Sequence, residues 1–187
     1  MENNLAKMVD AELIKMLKGQ KHESDQAFKI IYSRHSSRLH AYCLRILNNR
    51  ASAEDIFQET FIRFYQKVRL DYKTGSVAGF LITIARNLCL NYKRDTVITV
   101  PLENLEMFLA TDETDNKQEA YQMIRSAIEL LDFDLKEALI LRMYDGLSYA
   151  EISEIIGITN ENARRRVFRA KQKIKGILEP YYKDLLY

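Results

Sequence analysis

Apolar residues recur every three or four positions along most of this chain, which is the spacing of helices with one buried face. With only 6 glycines and 2 prolines in 187 residues, helices are favoured over a strand-and-turn architecture. The pattern predicts a short first helix over residues 10–19 and a long helical segment that ends before Asn48. The apolar positions of these two helices are Leu13, Ile14, Leu17, Phe28, Ile31, Tyr32, Leu39, Tyr42, Cys43, Ile46 and Leu47.

Two further helices are predicted on either side of a polar loop at residues 69–76. Ser52 and Asp55 have the S-x-x-acid spacing of a helix start, so we expect the third helix to begin at Ser52. The fourth helix has the most regular apolar stripe in the chain, from Val77 to Tyr92. Together these helices predict one compact domain over residues 1–94. The buried positions of the third helix are expected to be Ile56, Phe57, Thr60, Phe61, Phe64 and Val68.

An acidic linker is predicted over residues 95–120, where seven carboxylates face one lysine and give a net charge of −6. A second helical domain is predicted over residues 121–187. Its first helix is expected to place four apolar residues under a second apolar cluster. The four residues are Ile124, Ala127, Ile128 and Leu131, and the cluster is Leu139, Ile140 and Met143. The predicted fold is therefore all-α, with two small helical domains joined by an acidic linker.

A helix-turn-helix is predicted near the end of the second domain. Ser148 and Glu151 have capping-box spacing, and Gly157 can adopt the left-handed conformation that ends a helix. Thr159 or Asn160 can then cap the next helix. That helix has a single buried stripe, consisting of Ala163, Val167, Ala170 and Ile174.

The opposite face of this last helix is rich in arginine. From residue 159 to residue 175 there are four Arg and three Lys against one Glu, a net charge of +6, whereas the whole chain carries only +2. A basic helix placed after a tight turn is suited to the major groove of DNA, although a solvated charged face would show the same pattern. The residues that point away from the buried stripe are Arg165, Phe168, Arg169 and Gln172, with Arg164 at the edge.

Composition argues against several other classes of protein. Cys43 and Cys89 lack metal-ligand spacing and are expected to be buried thiols, so we predict neither a disulfide nor a metal site. No nucleophile–base pair or glycine-rich phosphate loop is present, so we predict a protein that is not an enzyme and needs no cofactor. The chain has no apolar run of 18 residues, which predicts a cytoplasmic protein without membrane insertion.

Three ordered blocks resemble a known family. Residues 53–61 resemble the A-E-D-x-x-Q-E-x-F signature of region 2 in bacterial sigma-70 factors, and residues 79–94 resemble its W-L-x-x-I-A-R-N block. Residues 147–171 resemble region 4, with its L-S-Y-x-E-I turn. The chain is therefore similar to an RNA polymerase sigma factor of the extracytoplasmic-function (ECF) type.

The resemblance implies a partner for each surface. Core RNA polymerase is expected to bind through its β′ clamp helices and its β subunit, and the residues carried over for this contact are Asp55, Gln58 and Glu59. Promoter −10 DNA is expected at Tyr72, Lys73, Arg86, Asn87, Lys93 and Arg94. Promoter −35 DNA is expected at Asn162, Arg164, Arg165, Phe168, Arg169 and Lys171. An anti-sigma factor is a further candidate partner. Tyr65 and Tyr72, on either side of the start of the −10 loop, are equally well explained as core or helix-end residues.

Two other classes of function remain compatible with the residues alone. The main alternative is a helix-turn-helix repressor or activator that acts without recruiting polymerase, and it predicts a dimer on palindromic sites. The other is a helical protein-binding module, which predicts no DNA binding despite the arginines.

Overall fold

The computed structural model of the chain describes residue 5 and residues 7–71, 75–96 and 116–182. Within these ranges the protein consists of eight helices and has no strand, so the prediction of an all-α fold is confirmed. The chain divides into two compact units, Met1–Asp95 and Thr96–Tyr187. None of the helices in the described ranges combines the length and the apolar character needed to cross a lipid bilayer.

The described residues of the N-terminal unit form four helices: α1 (Asp10–Leu17), α2 (Lys21–Leu47), α3 (Arg50–Asp71) and α4 (Val77–Asp95). Helix α2 packs against each of the other three, and α3 also packs against α1 and α4. Tyr42 and Phe64 are the largest fully buried side chains of this core. Cys43 and Cys89 are buried cysteines, as predicted. All six residues predicted for the buried face of α3 are buried.

The boundaries of α3 differ from the prediction at both ends. Asn48 adopts a left-handed conformation with φ of 50°, and the Asn49 side-chain carbonyl accepts a hydrogen bond from the Ser52 amide at 2.9 Å. Asn49 therefore caps a helix that begins at Arg50, and the predicted start at Ser52 was wrong. The helix continues to Asp71, so residues 69–71 are helical rather than part of a loop.

In the C-terminal unit, the part of the chain that the structure describes forms α5 (Asn116–Glu129), α6 (Phe133–Met143), α7 (Tyr149–Ile156) and α8 (Asn160–Tyr182). Helix α5 begins inside the stretch predicted as linker. Met143 is 56% exposed, so its predicted place in the core was wrong, whereas Leu139 and Ile140 are buried. The core cluster that joins α5, α6 and α8 consists of Ile128, Leu131, Leu135, Ala138, Leu139, Val167 and Ala170.

An ion pair between a buried lysine and a partly exposed glutamate links α5 to α6, and the sequence did not predict it. The Lys136 side chain is 2% exposed, and its ammonium lies 2.6 Å from a carboxylate oxygen of Glu129. Burial of an ammonium in a small helical core requires such a partner, because removal of a charge from water is costly. The pair therefore places the start of α6 against the end of α5, ahead of the helix-turn-helix.

Candidate nucleic-acid interface and acidic surface

The turn between α7 and α8 is formed by local hydrogen bonds. The Ser148 hydroxyl accepts the Glu151 amide at 3.2 Å, and the Glu151 carboxylate accepts the Ser148 amide at 2.8 Å, so the predicted capping box is confirmed. Gly157 ends α7 in the left-handed conformation with φ of 71°. The Thr159 hydroxyl then accepts the Asn162 amide at 3.2 Å, which identifies Thr159 as the cap of α8.

One face of α8 is held in the core of the C-terminal unit. Ala163, Val167 and Ala170 are buried, and Val167 and Ala170 belong to the core cluster. Ile174 is partly buried against the same cluster. The predicted buried stripe is therefore confirmed, and it determines which residues of α8 face outward. This orientation follows from the 3.6-residue period of the helix.

All six residues predicted for −35 DNA are exposed on α8: Asn162, Arg164, Arg165, Phe168, Arg169 and Lys171. Phe168 is 62% exposed, which is unusual for an aromatic side chain. An exposed aromatic residue among arginines offers an apolar contact beside several hydrogen-bond donors. Such a mixture fits base edges, where thymine methyl groups lie next to hydrogen-bond acceptors.

Two of the basic residues of α8 bind acidic residues elsewhere in the C-terminal unit. Arg166 bonds to Asp134 at 2.7 Å and Lys173 bonds to Asp132 at 2.9 Å, and these two pairs tie α8 to the start of α6. The hydrogen bond and charge of Lys173 lower the pKa of Asp132 below its usual value. Arg166 and Lys173 contribute to the basic charge of α8, but their partners within the unit lie on another part of the chain and could not be predicted from the pattern of α8.

Two of the outward arginines also have contacts within the C-terminal unit. The Arg165 guanidinium lies 2.6 Å from the Glu161 carboxylate, and both side chains are 70% exposed. The Arg164 guanidinium lies over the Tyr149 ring, 5.5 Å from its centroid. The Arg165–Glu161 pair is exposed and therefore weak, so Arg165 can exchange it for a nucleic acid, whereas the ring contact leaves the hydrogen-bond donors of Arg164 available.

An acidic surface lies on α3 in the other unit. Asp55 and Gln58 are exposed, whereas Glu59 is half-exposed and bonds to Arg63 at 2.6 Å. Glu54 accepts a hydrogen bond from the Gln58 amide at 3.3 Å and lies 3.1 Å from the His40 ring nitrogen. His40 lies on α2, so its contact with Glu54 depends on the packing of two helices and has no signal in the local sequence.

The structure describes four of the six residues predicted for −10 DNA. Arg86 and Lys93 are half-buried on α4, while Asn87 and Arg94 are exposed. Arg94 bonds to the neighbouring Asp95 at 3.1 Å. The two remaining residues of the prediction, Tyr72 and Lys73, lie outside the described residues.

Tyr65 near the end of α3 is part of the packed unit. Its hydroxyl lies 3.1 Å from the buried Ser24 hydroxyl and accepts a hydrogen bond from Arg69 at 3.0 Å. The hydrogen bond with Ser24, and to a smaller extent the one with Arg69, lower the pKa of Tyr65 below its usual value. Its ring packs edge-on against Phe28 at 5.4 Å, so the interpretation of Tyr65 as a core residue is favoured.

Comparison with known proteins places both units in one family. Residues 31–97 match the family described as Sigma-70 region 2, and residues 121–174 match Sigma-70, region 4. The chain is 30% identical over 171 residues to the ECF RNA polymerase sigma-E factor of Salmonella typhimurium, covering 83% of this chain and 88% of that protein. It is 29% identical over 151 residues to the ECF RNA polymerase sigma factor SigE of Mycolicibacterium smegmatis, covering 77% of this chain and 58% of that protein.

A solved structure has the same fold. It is the sigma factor RpoE of Bartonella quintana, in a complex with the anti-sigma factor NepR. The TM-score is 0.63 at 22% sequence identity, and the match covers 81% of this chain and 96% of that one.

The chain therefore belongs to the sigma-70 family, as an ECF-type RNA polymerase sigma factor, the class of protein that directs RNA polymerase to promoters. The repressor alternative is not favoured, because the match includes region 2 as well as the helix-turn-helix.

Proposed function

We propose that residues 121–187 form the −35-binding domain and that residues 1–94 form the domain that binds core polymerase and −10 DNA. Residues 95–120 serve as the acidic linker between them. The observation that carries the proposal is the orientation of α8, whose apolar stripe is buried while its arginines and Phe168 face outward. A recognition helix for the major groove needs this division of its two faces.

At the −35 element, the exposed face of α8 reads duplex DNA. Asn162, at the start of the helix, is placed to meet base edges, because recognition helices use their N-terminal residues for this contact. Arg164, Arg165 and Arg169 provide bidentate donors for guanine or charge for phosphates, and Phe168 provides an apolar contact for a thymine methyl. Lys171, farther along the helix, contacts the phosphate backbone.

At the −10 element, the edge of α4 binds the promoter strand. Arg86, Asn87, Lys93 and Arg94 lie on one helix and are exposed or half-buried, which suits contact with phosphates. Tyr72 and Lys73 add an aromatic and a basic residue, a combination suited to an unpaired strand with an extruded base.

The acidic surface of α3 binds core polymerase. Asp55, Gln58 and Glu59 meet the β′ clamp helices, and the β subunit is a second contact of the chain. An anti-sigma factor is a further partner, because a sigma factor of the same fold has been solved in a complex with one. We assign the protein to the cytoplasm, where polymerase and promoters are found, and we assign it no catalytic step, metal or cofactor of its own.

Reconstitution with core polymerase tests the proposal. The chain should co-purify with core polymerase, and the complex should initiate transcription at a defined subset of promoters from a genomic library. A −35 sequence can then be selected by the same complex from duplexes with a randomised upstream element. A chain that fails to bind core polymerase, yet binds another protein or a palindromic duplex tightly, would refute the proposal.

A further inference from the structure

Tyr149, the first residue of α7, contacts two arginines from the two neighbouring helices. The guanidinium of Arg142, on α6, lies over the tyrosine ring at 4.8 Å from its centroid. The guanidinium of Arg164, on α8, lies over the same ring at 5.5 Å. A single aromatic ring therefore connects the arginine of a packed helix to an arginine of the DNA-facing helix. Both distances fall within the range of cation–π attraction.

The position of the Tyr149 ring is determined by its surroundings on three sides. Its backbone follows Ser148, the cap residue of α7, whose hydrogen bonds with Glu151 fix the start of the helix. The ring itself is partly buried against the core cluster of the C-terminal unit. Arg142 is anchored in turn, because its guanidinium donates a hydrogen bond to the Leu147 carbonyl at 2.8 Å. The ring is therefore a rigid platform rather than a mobile surface group.

The ring restricts the Arg164 side chain before it binds. It is exposed, and an arginine side chain in water samples many rotamers that it must give up when it binds. The neighbouring Arg165 is held differently, through the charge of Glu161 within its own helix. A guanidinium that is held by an aromatic ring keeps its charge and its hydrogen-bond donors, because the ring attracts the cation without neutralising it.

We propose that Tyr149 is a positioning residue, which preorganises the Arg164 guanidinium for its contact with −35 DNA. The inference rests on the proposed role of α8 at the −35 element and deepens it. Tyr149 on α7, the first helix of the helix-turn-helix, would then contribute to promoter specificity through the Arg164 side chain on α8. A preorganised side chain loses less freedom when it binds, and its donors start from the geometry that the base or phosphate requires.

The test uses the full chain bound to core polymerase and the −35 duplex that this complex selects. Tyr149→Leu removes the aromatic ring but keeps an apolar side chain against the core, and Tyr149→Phe keeps the ring. We expect Tyr149→Leu to weaken duplex binding about two- to fivefold, the size of one partly exposed cation–π contact, and Tyr149→Phe to bind like the wild type. Tyr149→Leu should also relax the preference for the same base pair as Arg164→Ala.

A double-mutant cycle separates positioning from a general loss of structure. In the Arg164→Ala background, Tyr149→Leu should have no further effect on binding. In the background of the matched control Arg165→Ala, its effect should persist in full. Circular dichroism and thermal unfolding of each variant show whether α7 remains folded.

Three results would overturn the inference. The first is an unchanged affinity of Tyr149→Leu while Arg164→Ala binds less tightly, which leaves the −35 role of α8 intact. The second is a loss that is equally large with and without Arg164. The third is an unchanged affinity of Arg164→Ala itself, which would also remove Arg164 from the proposed −35 surface.

Discussion

Charge reversal of the acidic surface on α3 is expected to separate the fold of the chain from its binding to polymerase. Glu59→Lys breaks the exposed i,i+4 pair with Arg63, which contributes about 0.3–0.5 kcal/mol, and it creates a like-charge pair of similar size and opposite sign. Asp55 is exposed and lies off the buried face of α3. The free energy of unfolding of the double variant Asp55→Lys/Glu59→Lys should therefore fall by at most about 1 kcal/mol.

The loss of affinity for core polymerase should be much larger. Removal of one partner from a desolvated charged contact typically costs about 2–5 kcal/mol, and a lysine in its place adds repulsion. We therefore expect at least a ~30-fold loss of affinity from the double reversal. Competition for core polymerase against a labelled wild-type chain measures this loss. Cys43 and Cys89 are buried, so a cysteine added at the surface can carry the label.

A matched double reversal on the same unit provides the control. Glu23 and Asp25 are exposed near the start of α2, and the charge of Asp25 acts on Tyr65. Tyr65 lies ten residues after Asp55 on α3, about 15 Å along the helix axis, so the control residues beside Tyr65 are separated from Asp55. Glu23→Lys/Asp25→Lys should compete like the wild type. Equal competition by the two double variants, with the fold intact, would show that the contact surface has been misplaced.

Two further predictions concern the helix-turn-helix. Alanine at Arg164, Arg165 and Arg169 should weaken binding of the −35 duplex by the holoenzyme, by about 1–3 kcal/mol for each residue that reads a base and by less for a phosphate contact. Unchanged affinity with an unchanged circular dichroism spectrum would end the assignment of α8. Ser148→Ala should lower the free energy of unfolding of the C-terminal unit by about 1 kcal/mol, because it removes the cap of the eight-residue α7. Ser153→Ala within the same helix should change it by only a few tenths, and equal urea-unfolding values for the two variants would contradict the capping argument.

Sequence reasoning succeeded where structure depends on neighbouring residues. The capping box at Ser148, the left-handed Gly157 and the buried stripe from Ala163 to Ala170 each follow from spacings within one or two helical turns. The same local rules permitted two starts for α3. Asn49 and Ser52 are both cap-forming residues three positions apart, and the left-handed turn at Asn48 brings Asn49 into the cap position.

Contacts between helices could not be predicted in this way. The burial of Lys136 depends on Glu129, which lies on the preceding helix, and the pairing of Arg166 depends on Asp134. The period of α8 places Arg166 beside the buried stripe and Arg165 on the outward face, but it does not show that Arg166 binds Asp134 on another helix. The polar partners of a helix face depend on which helix packs beside it.

Promoter opening with and without core polymerase tests the central claim most directly. The free chain should bind promoter DNA weakly, as a monomer and with strong dependence on salt, because one recognition helix neutralises few phosphates. Opening of the −10 region, followed by permanganate reactivity of unpaired thymines, should require core polymerase and should be lost when Lys93 and Arg94 become alanine. Tight binding of the free chain to a palindromic duplex as a dimer, with no change on addition of core polymerase, would contradict the assignment of this protein to promoter-directed initiation.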